Sequence, residues 1–294
     1  MKNKIIILLF FTAFVELIVG QSITERYSDL GEMFVPQLST SMFPHSKRED
    51  GHKYKDKIFN KQEHYSDSSV AVFIPKGFKQ TSKTNIVVYF HGWNNNIDSA
   101  SAQFNLIEQF TESNKNAIFV FPEGPKNASD SFGGKLEDKN GLKNLLDDVL
   151  LYLFNKGKIA NKNIGDIILA GHSGAYRVIA FSLLHGGVTK NISDVILFDA
   201  LYAEIEKYAY WIDHSKGRFI NIYTDSGGTK NEVENLMEDL DAWQIPYFNI
   251  EERDLKMEHL LNNRVILIHT DLTHNEVISK RQQLYIFLAT SNID

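Results

Sequence analysis

An apolar strand that runs directly into a serine turn constrains this chain more than any other feature. Residues Ile167–Ala170 are apolar, Gly171-His172-Ser173-Gly174-Ala175 follows, and helical spacing extends from Gly174 to Leu184. Small neighbours permit the sharp, strained strand-to-helix turn that exposes a nucleophilic hydroxyl. The helix start favours developing negative charge, and the Gly174 N–H is then a donor for an oxyanion. The turn predicts Ser173 as a nucleophile; the alternative is an ordinary strand–helix turn that contains serine.

The rest of the chain alternates between apolar strands and helical stretches. Continuous apolar runs such as Asn85–Phe90 are typical of strands that are buried on both faces of a parallel sheet. The alternation predicts an α/β fold with a mainly parallel central sheet, in a single domain over residues 68–294. Further strands are predicted at Val70–Ile74, Ala117–Phe121, Asp166–Ala170, Val195–Phe198, Phe219–Tyr223, Tyr247–Ile250 and Val265–His269. Helices are predicted at Ser99–Ser113, Leu142–Phe154, Asn231–Trp243 and Glu276–Phe287, and a long loop at Lys126–Asn140.

The two ends of the predicted domain differ in character from its centre. Residues 21–67 are polar and irregular, which predicts an N-terminal extension on the surface with room for one early strand. Residues 1–20 combine Lys2 and Lys4, an apolar run and a small residue at Gly20, which is typical of a secretory signal peptide. We therefore expect secretion to an extracellular or periplasmic location, and no membrane span in the mature chain.

The Gly-His-Ser-Gly-Ala segment resembles the nucleophile elbow of the α/β-hydrolase superfamily, whose usual pattern is Gly-x-Ser-x-Gly. Ala175 replaces the last glycine. The resemblance implies the α/β-hydrolase fold, with helices on both faces of the sheet. His91-Gly92 follows the strand Val87–Phe90 and resembles the pair that supplies the other oxyanion donor.

That second resemblance implies roles for the three residues after His91. The backbone N–H of Trp93 is implied as the second oxyanion donor, with Gly92 turning the backbone close to the substrate and Asn94 near the mouth of the site. The alternative is a strand-ending turn that is rich in asparagine. His91 is structural in both interpretations.

The superfamily order of serine, acid and histidine implies a general base after the last strand. His274 lies in the loop after Val265–Thr270, whereas His269 lies within the strand, where histidine more often holds a backbone carbonyl. Two acids remain open. Phe198-Asp199-Ala200 resembles the context of the acid in pancreatic-type secreted lipases, whereas most superfamily members use the later strand, which Asp225 follows. We favour Asp199, and Asp225 also reads as part of a turn.

Residues beside the predicted triad are candidates for binding substrate. His172 precedes the nucleophile, and Tyr202 begins the aromatic segment Leu201–Trp211 after Asp199. The segment is expected either to form a wall of the pocket or to pack as an amphipathic helix against the core.

Composition excludes several other classes of function. The chain has 294 residues and no cysteine, so disulfides, thiolate nucleophiles and cysteine-based zinc sites are excluded. The formal charge of −6 is spread along the chain without a basic stripe, which argues against binding of nucleic acid. We identify no metal-ligand motif and no glycine-rich phosphate loop, so neither a metal nor a cofactor is expected.

The sequence as a whole predicts a secreted serine hydrolase that cleaves an ester of a small-molecule or lipid acid through a Ser-His-Asp triad and an acyl-enzyme. A peptidase or amidase with the same triad is the alternative within this chemistry. A catalytically silent α/β-hydrolase that acts as a binding protein is the alternative from another class.

Overall fold

The centre of the computed structural model, which describes residues 21–293, is a nine-stranded sheet. The predicted signal peptide at residues 1–20 lies outside the described residues. The strands of this sheet are β1 (Gly31–Phe34), β4 (Val70–Pro75), β5 (Thr84–Phe90), β6 (Ala117–Pro122), β7 (Ile164–His172), β8 (Ile192–Phe198), β9 (Arg218–Thr224), β10 (Phe248–Glu251) and β11 (Val265–Thr270), and β2 (His52–Tyr54) and β3 (Lys57–Phe59) form a separate pair. The order across the sheet is β1-β4-β6-β5-β7-β8-β9-β11-β10.

Within the nine-stranded sheet of residues 21–293, the β1–β4 and β4–β6 pairings are antiparallel and the other neighbouring pairs are parallel, whereas the separate β2–β3 pair is antiparallel. The predicted α/β fold with a mainly parallel sheet is therefore confirmed. Parallel pairing places the carboxyl ends of β5, β7, β8, β9 and β11 along one edge, and this is the edge where the candidate site lies.

Helices cover both faces of the sheet because its strands are apolar on both faces. In β5, Ile86 and Val88 pack into one hydrophobic cluster, whereas Val87 and Tyr89 pack into the cluster on the opposite face. Within residues 21–293, no helix is long and apolar enough to cross a membrane. The α-helices are Ile23–Arg26, Lys61–His64, Ile97–Gln103, Leu106–Glu112, Gly141–Asn155, Tyr176–His185, Ile205–His214, Lys230–Ala242, Met257–Asn262 and Gln283–Ala289.

Two predicted helices differ from the structure at a residue in the left-handed region. The stretch predicted as one helix over Ser99–Ser113 is two helices, because Asn105 has φ 49° and breaks the helical path. The predicted helix over Glu276–Phe287 is wrong in its first half, since the helix begins only at Gln283 after Gln282 at φ 56°. The Glu276 side chain instead accepts hydrogen bonds from the N–H and hydroxyl of Thr273.

The segment at residues 21–67 is integrated more deeply than the sequence predicts. The early strand exists as β1 at the edge of the sheet, and Phe43, Phe59 and Tyr65 are at most 1% exposed within the main core. The expected surface position is therefore wrong for these aromatic residues. They occur singly in an irregular, mostly polar stretch, so they leave no periodic pattern from which burial is predicted.

Candidate active site

Ser173 stands at the carboxyl end of β7 in a strained backbone conformation. Its φ is 55°, a left-handed value that is rare for a residue other than glycine. A single 3-10 turn, Ser173–Ala175, joins the strand to the helix Tyr176–His185, so the α-helix begins two residues later than predicted. Strain of this kind persists only where the surroundings enforce it, and it concentrates at functional sites.

Two glycines permit the close packing around this turn, because neither position has room for a side chain. A Cβ at Gly92 would lie 2.5 Å from Ser173 Cβ and 3.1 Å from its Oγ, and one at Gly174 would lie 2.5 Å from Trp93 Cδ1. The loop after β5 is therefore packed directly against the turn at Ser173. The backbone N–H of Trp93 has no acceptor among the described residues.

Asp199 and His274 meet beside this turn. His274 Nδ1 lies 2.7 Å from Asp199 Oδ2, and the Asp199 side chain is fully buried. Thr224 donates to the same carboxylate from its N–H at 3.3 Å and its hydroxyl at 2.8 Å, and Thr229 donates from its hydroxyl. Burial alone would raise the pKa of Asp199, but the hydrogen bonds from His274, Thr229 and Thr224 outweigh it and hold the pKa below its usual value. Asp199 is thus an ionised, oriented acceptor for the imidazole.

Gly227 allows this carboxylate to fit. A Cβ there would lie 1.7 Å from Asp199 Oδ2, which is incompatible with the observed packing. Its N–H donates to the Thr224 hydroxyl at 2.8 Å, so the same residue also positions one of the donors of the carboxylate.

Asp225, the other candidate acid, faces away from His274. Its side chain is 65% exposed, with Lys230 Nζ at 2.9 Å and His269 Nε2 at 3.2 Å. His269, the competing histidine, also lies 3.0 Å from Glu251. The structure therefore brings together Asp199 and His274 and separates both from the pair Asp225 and His269.

His172 packs under the loop that carries His274 rather than facing an open cavity. Its residue surface is 4% exposed, its ring centroid lies 4.5 Å from that of His274, and its Nε2 lies 2.8 Å from the His274 carbonyl. Burial, followed by repulsion from His274, lowers the pKa of His172 to about 3. The neutral ring therefore donates its Nε2–H to the His274 carbonyl and holds the loop in place.

This shift predicts a specific acid sensitivity. The folded state lowers the pKa of His172, so between pH 6.5 and about 3 the unfolded chain binds the extra proton and stability falls as pH falls. From pH 7 to pH 5 the loss from this residue is about 2 kcal/mol. We expect the His172→Asn variant, whose side chain keeps a hydrogen-bond donor, to lose about 2 kcal/mol less stability than the parent protein between pH 7 and pH 5. Urea unfolding at the two pH values measures this difference. Equal losses in both proteins would contradict the assignment.

Tyr202 and Asn94 have separate positions at the rim of the site. The Tyr202 hydroxyl donates to the Gly227 carbonyl at 2.6 Å, and its ring centroid lies 6.4 Å from that of His274. Burial, then the charge of Asp199, raises the pKa of Tyr202 to about 12, and an interaction with the Ser173 side chain acts in the opposite direction. Asn94 is exposed and accepts a hydrogen bond from the Ser129 hydroxyl at 3.0 Å.

His91 is buried and fixes the turn after β5. Its Nδ1 lies 2.7 Å from the Gly92 carbonyl, and its Nε2 lies 3.1 Å from the Gly124 N–H and 3.0 Å from a Glu123 carboxylate oxygen. Its position supports the structural role that the sequence suggests. Among residues 21–293, no cluster of three or more histidine, aspartate or glutamate side chains is placed to hold a metal ion.

The position of the helix Ile205–His214 distinguishes between the two interpretations of the segment Leu201–Trp211. Tyr208 and Trp211 are at most 2% exposed and belong to the main core, as the amphipathic-helix interpretation predicts. Only Tyr202, ahead of the helix, reaches the candidate site.

The architecture of this chain, although not its sequence, is similar to that of known proteins. No protein-family model and no curated protein sequence matches the chain. Among solved structures it is similar to the feruloyl esterase module from Clostridium thermocellum, with 13% identity, a TM-score of 0.56, and 89% of this chain and 88% of that chain covered. It is also similar to fluorophosphonate-binding serine hydrolase F from Staphylococcus aureus, with 10% identity, a TM-score of 0.52, and coverage of 89% and 99%. An S-formylglutathione hydrolase from the same organism has 10% identity, a TM-score of 0.53, and coverage of 88% and 98%. The chain has the α/β-hydrolase fold, and the expected fold is confirmed.

Proposed function

We propose that this chain is a serine hydrolase that cleaves esters through an acyl-enzyme, with Ser173 as nucleophile, His274 as general base and Asp199 as the acid of the triad. The observation that carries the proposal is the pairing of His274 with a buried, ionised Asp199 at 2.7 Å, next to a serine at φ 55°. A buried carboxylate is costly without partners, and this one is aimed at an imidazole. The esterase and serine hydrolase names of the structural neighbours support the same chemistry.

The proposed mechanism uses each group in one role. As the Ser173 oxygen bonds to the substrate carbonyl carbon, its proton passes to Nε2 of His274, whose Nδ1–H stays on Asp199. The N–H groups of Trp93 and Gly174 stabilise the oxyanion. The ester C–O bond then breaks, and the leaving alkoxide takes the proton from His274. Water, deprotonated by His274, attacks the carbonyl carbon of the acyl-enzyme. The bond from that carbon to the Ser173 oxygen then breaks, the acid leaves, and the serine oxygen takes the proton back from His274.

The structure also suggests which sequence candidates act indirectly. Gly92 serves by letting the loop after β5 approach Ser173, and His172 serves as a positioning residue under His274. Tyr202 is proposed to line the substrate site beside the triad, and Asn94 to contribute at its mouth. We further propose that the protein is secreted after removal of residues 1–20.

Labelling of the purified mature protein with a fluorophosphonate probe tests the proposal directly. We expect one covalent adduct, mapped by mass spectrometry to the peptide that contains Ser173, because only an activated serine reacts. Denatured protein is the control and should not be labelled. A folded sample that stays unlabelled, and hydrolyses no ester, would contradict the proposal and favour a silent binding protein. Labelling with turnover of anilides and not of esters would favour the amidase alternative.

A further inference from the structure

A cavity of about 310 Å³ lies beside the turn at Ser173 and outside the proposed triad. Trp93 and Ser131 line it, and both lie against Gly174, at 2.5 Å and 3.0 Å from the position of a Cβ there. The Trp93 Nε1–H donates a hydrogen bond to the Ser131 hydroxyl at 2.7 Å, so the two side chains form a continuous part of the cavity wall. The cavity is therefore within reach of a substrate that is bound at Ser173.

The N-terminal segment at residues 21–67 forms the far side of this cavity. Its wall from that segment consists of Lys47, Arg48, His52 and Tyr54, and Tyr54 packs edge-on against Trp93 with ring centroids 4.9 Å apart. Phe132 and Tyr176 complete an aromatic lining. Aromatic walls of this kind accept a flat apolar body and leave specificity to a few polar groups.

The polar groups here are cations around one ring. Lys47, Arg48 and Arg177 lie 5.5 Å, 4.6 Å and 6.0 Å from the centroid of Phe132. The carboxylates that balance the arginines are buried, although Asp130 also lines the cavity: the Asp130 side chain is 6% exposed and the Glu137 side chain 4%. Asp130 is occupied by Arg48 at 2.6 Å and 3.0 Å, and Glu137 by Arg177 at 2.7 Å and 2.9 Å.

Two donors remain for a ligand. Lys47 is exposed and has no carboxylate partner among the described residues. Within residues 21–293, the third guanidinium nitrogen of Arg177 has Glu204 alone as a partner, at 3.9 Å, whereas all three nitrogens of Arg48 are used within the protein. The face turned to the cavity is thus positive in a chain whose formal charge is −6.

We propose that this cavity is a substrate subsite for a carboxylate carried on an aromatic or similarly flat part of the ester, with Lys47 and Arg177 as its anchors. The inference rests on the proposed ester hydrolysis at Ser173 and deepens it by naming a substrate class. A partly exposed charge pair gives a modest gain, so we expect kcat/KM to favour the carboxylate by roughly 3- to 10-fold.

Two matched pairs of esters test the subsite on both sides of the scissile bond. Mono-4-nitrophenyl terephthalate and its methyl ester place the charge on an aromatic acyl group, and 4-acetoxybenzoate and its methyl ester place it on an aromatic leaving group. We expect the charged member of one pair to be preferred, and the preference to fall with added salt. A preference for the methyl ester in both pairs would overturn the proposal.

The variant for this test is Lys47→Glu, because Lys47 is exposed and the change spares the buried ion pairs. It should remove the preference by lowering kcat/KM for the charged ester and leave the methyl ester within about 2-fold. Lys83→Glu, at an exposed lysine before β5, controls for net charge. Equal effects of the two variants would overturn the subsite.

Failure of the proposed function gives a different result. In that case neither pair is hydrolysed and no fluorophosphonate label appears, and calorimetry with 4-hydroxybenzoate then tests the cavity alone. Binding that Lys47→Glu weakens and Lys83→Glu preserves would support the subsite. Absence of binding, or equal binding by all three proteins, would overturn it.

Discussion

Ser173→Ala is expected to lower kcat for ester hydrolysis by on the order of 10⁴- to 10⁶-fold, the range found when a triad nucleophile is removed. The alanine leaves His274 and Asp199 in place but offers no oxygen to attack the carbonyl. Residual hydrolysis would come only from oxyanion stabilisation and substrate binding. The rate is measured with 4-nitrophenyl acetate, and the same variant should lose fluorophosphonate labelling.

Retention of the fold is the control for this result. The Ser173→Ala variant should keep the circular dichroism of the parent protein, and removal of a side chain that is not part of the core should change stability little. The matched control is Ser99→Ala, at an exposed position of the helix Ile97–Gln103. It also removes a serine hydroxyl, but far from the proposed reacting atoms, and should keep full activity. An alanine variant at Ser173 that still turns over substrate would contradict the mechanism.

Asp199→Asn is expected to lower kcat by about 10⁴-fold, whereas Asp225→Asn should stay within about 2-fold of the parent. The two substitutions are chemically identical and isosteric, so each serves as the control for the other. At position 199 the amide loses the charge that stabilises the imidazolium and presents the wrong hydrogen-bonding pattern to His274 Nδ1. At position 225 only an exposed contact with Lys230 and His269 is lost.

Steady-state kinetics across pH 6–9 separates the outcomes. Two equally mild losses would contradict the assignment of either aspartate as the triad acid. A large loss at Asp225 alone would reverse the choice between them.

The parts of the fold that the sequence predicts are those with a dense local signal. Ile86–Phe90 is apolar throughout because β5 is covered on both faces, and Thr84–Phe90 is the strand observed. The turn at Ser173 is equally readable, since a strand, small residues and a helix occur in immediate succession.

In the sequence, the preference for Asp199 over Asp225 rests on the resemblance of one short segment, and the physical difference between the two aspartates is not local. Both follow an apolar strand, and the difference arises from distant donors such as Thr229 and from the space left by Gly227. The cavity beside Trp93 was missed for a similar reason, because Lys47 and Tyr54 come from a polar stretch with no periodicity. The only local signal there was the recurrence of single aromatic residues among charges, which has no established structural interpretation.

The separation of the proposed triad from the residues around Lys47 has a consequence for how such a protein diversifies. Ser173, Asp199 and His274 sit at the ends of β7, β8 and β11, whereas the segment from Lys47 to Tyr54 precedes every one of the sheet's parallel strands in the chain. Exchanging that short stretch alters the wall of the neighbouring cavity without touching the sheet that positions the triad. New ligand preferences are thereby open to a few early substitutions, and a library confined to these eight positions, 47–54, is the compact place to seek them.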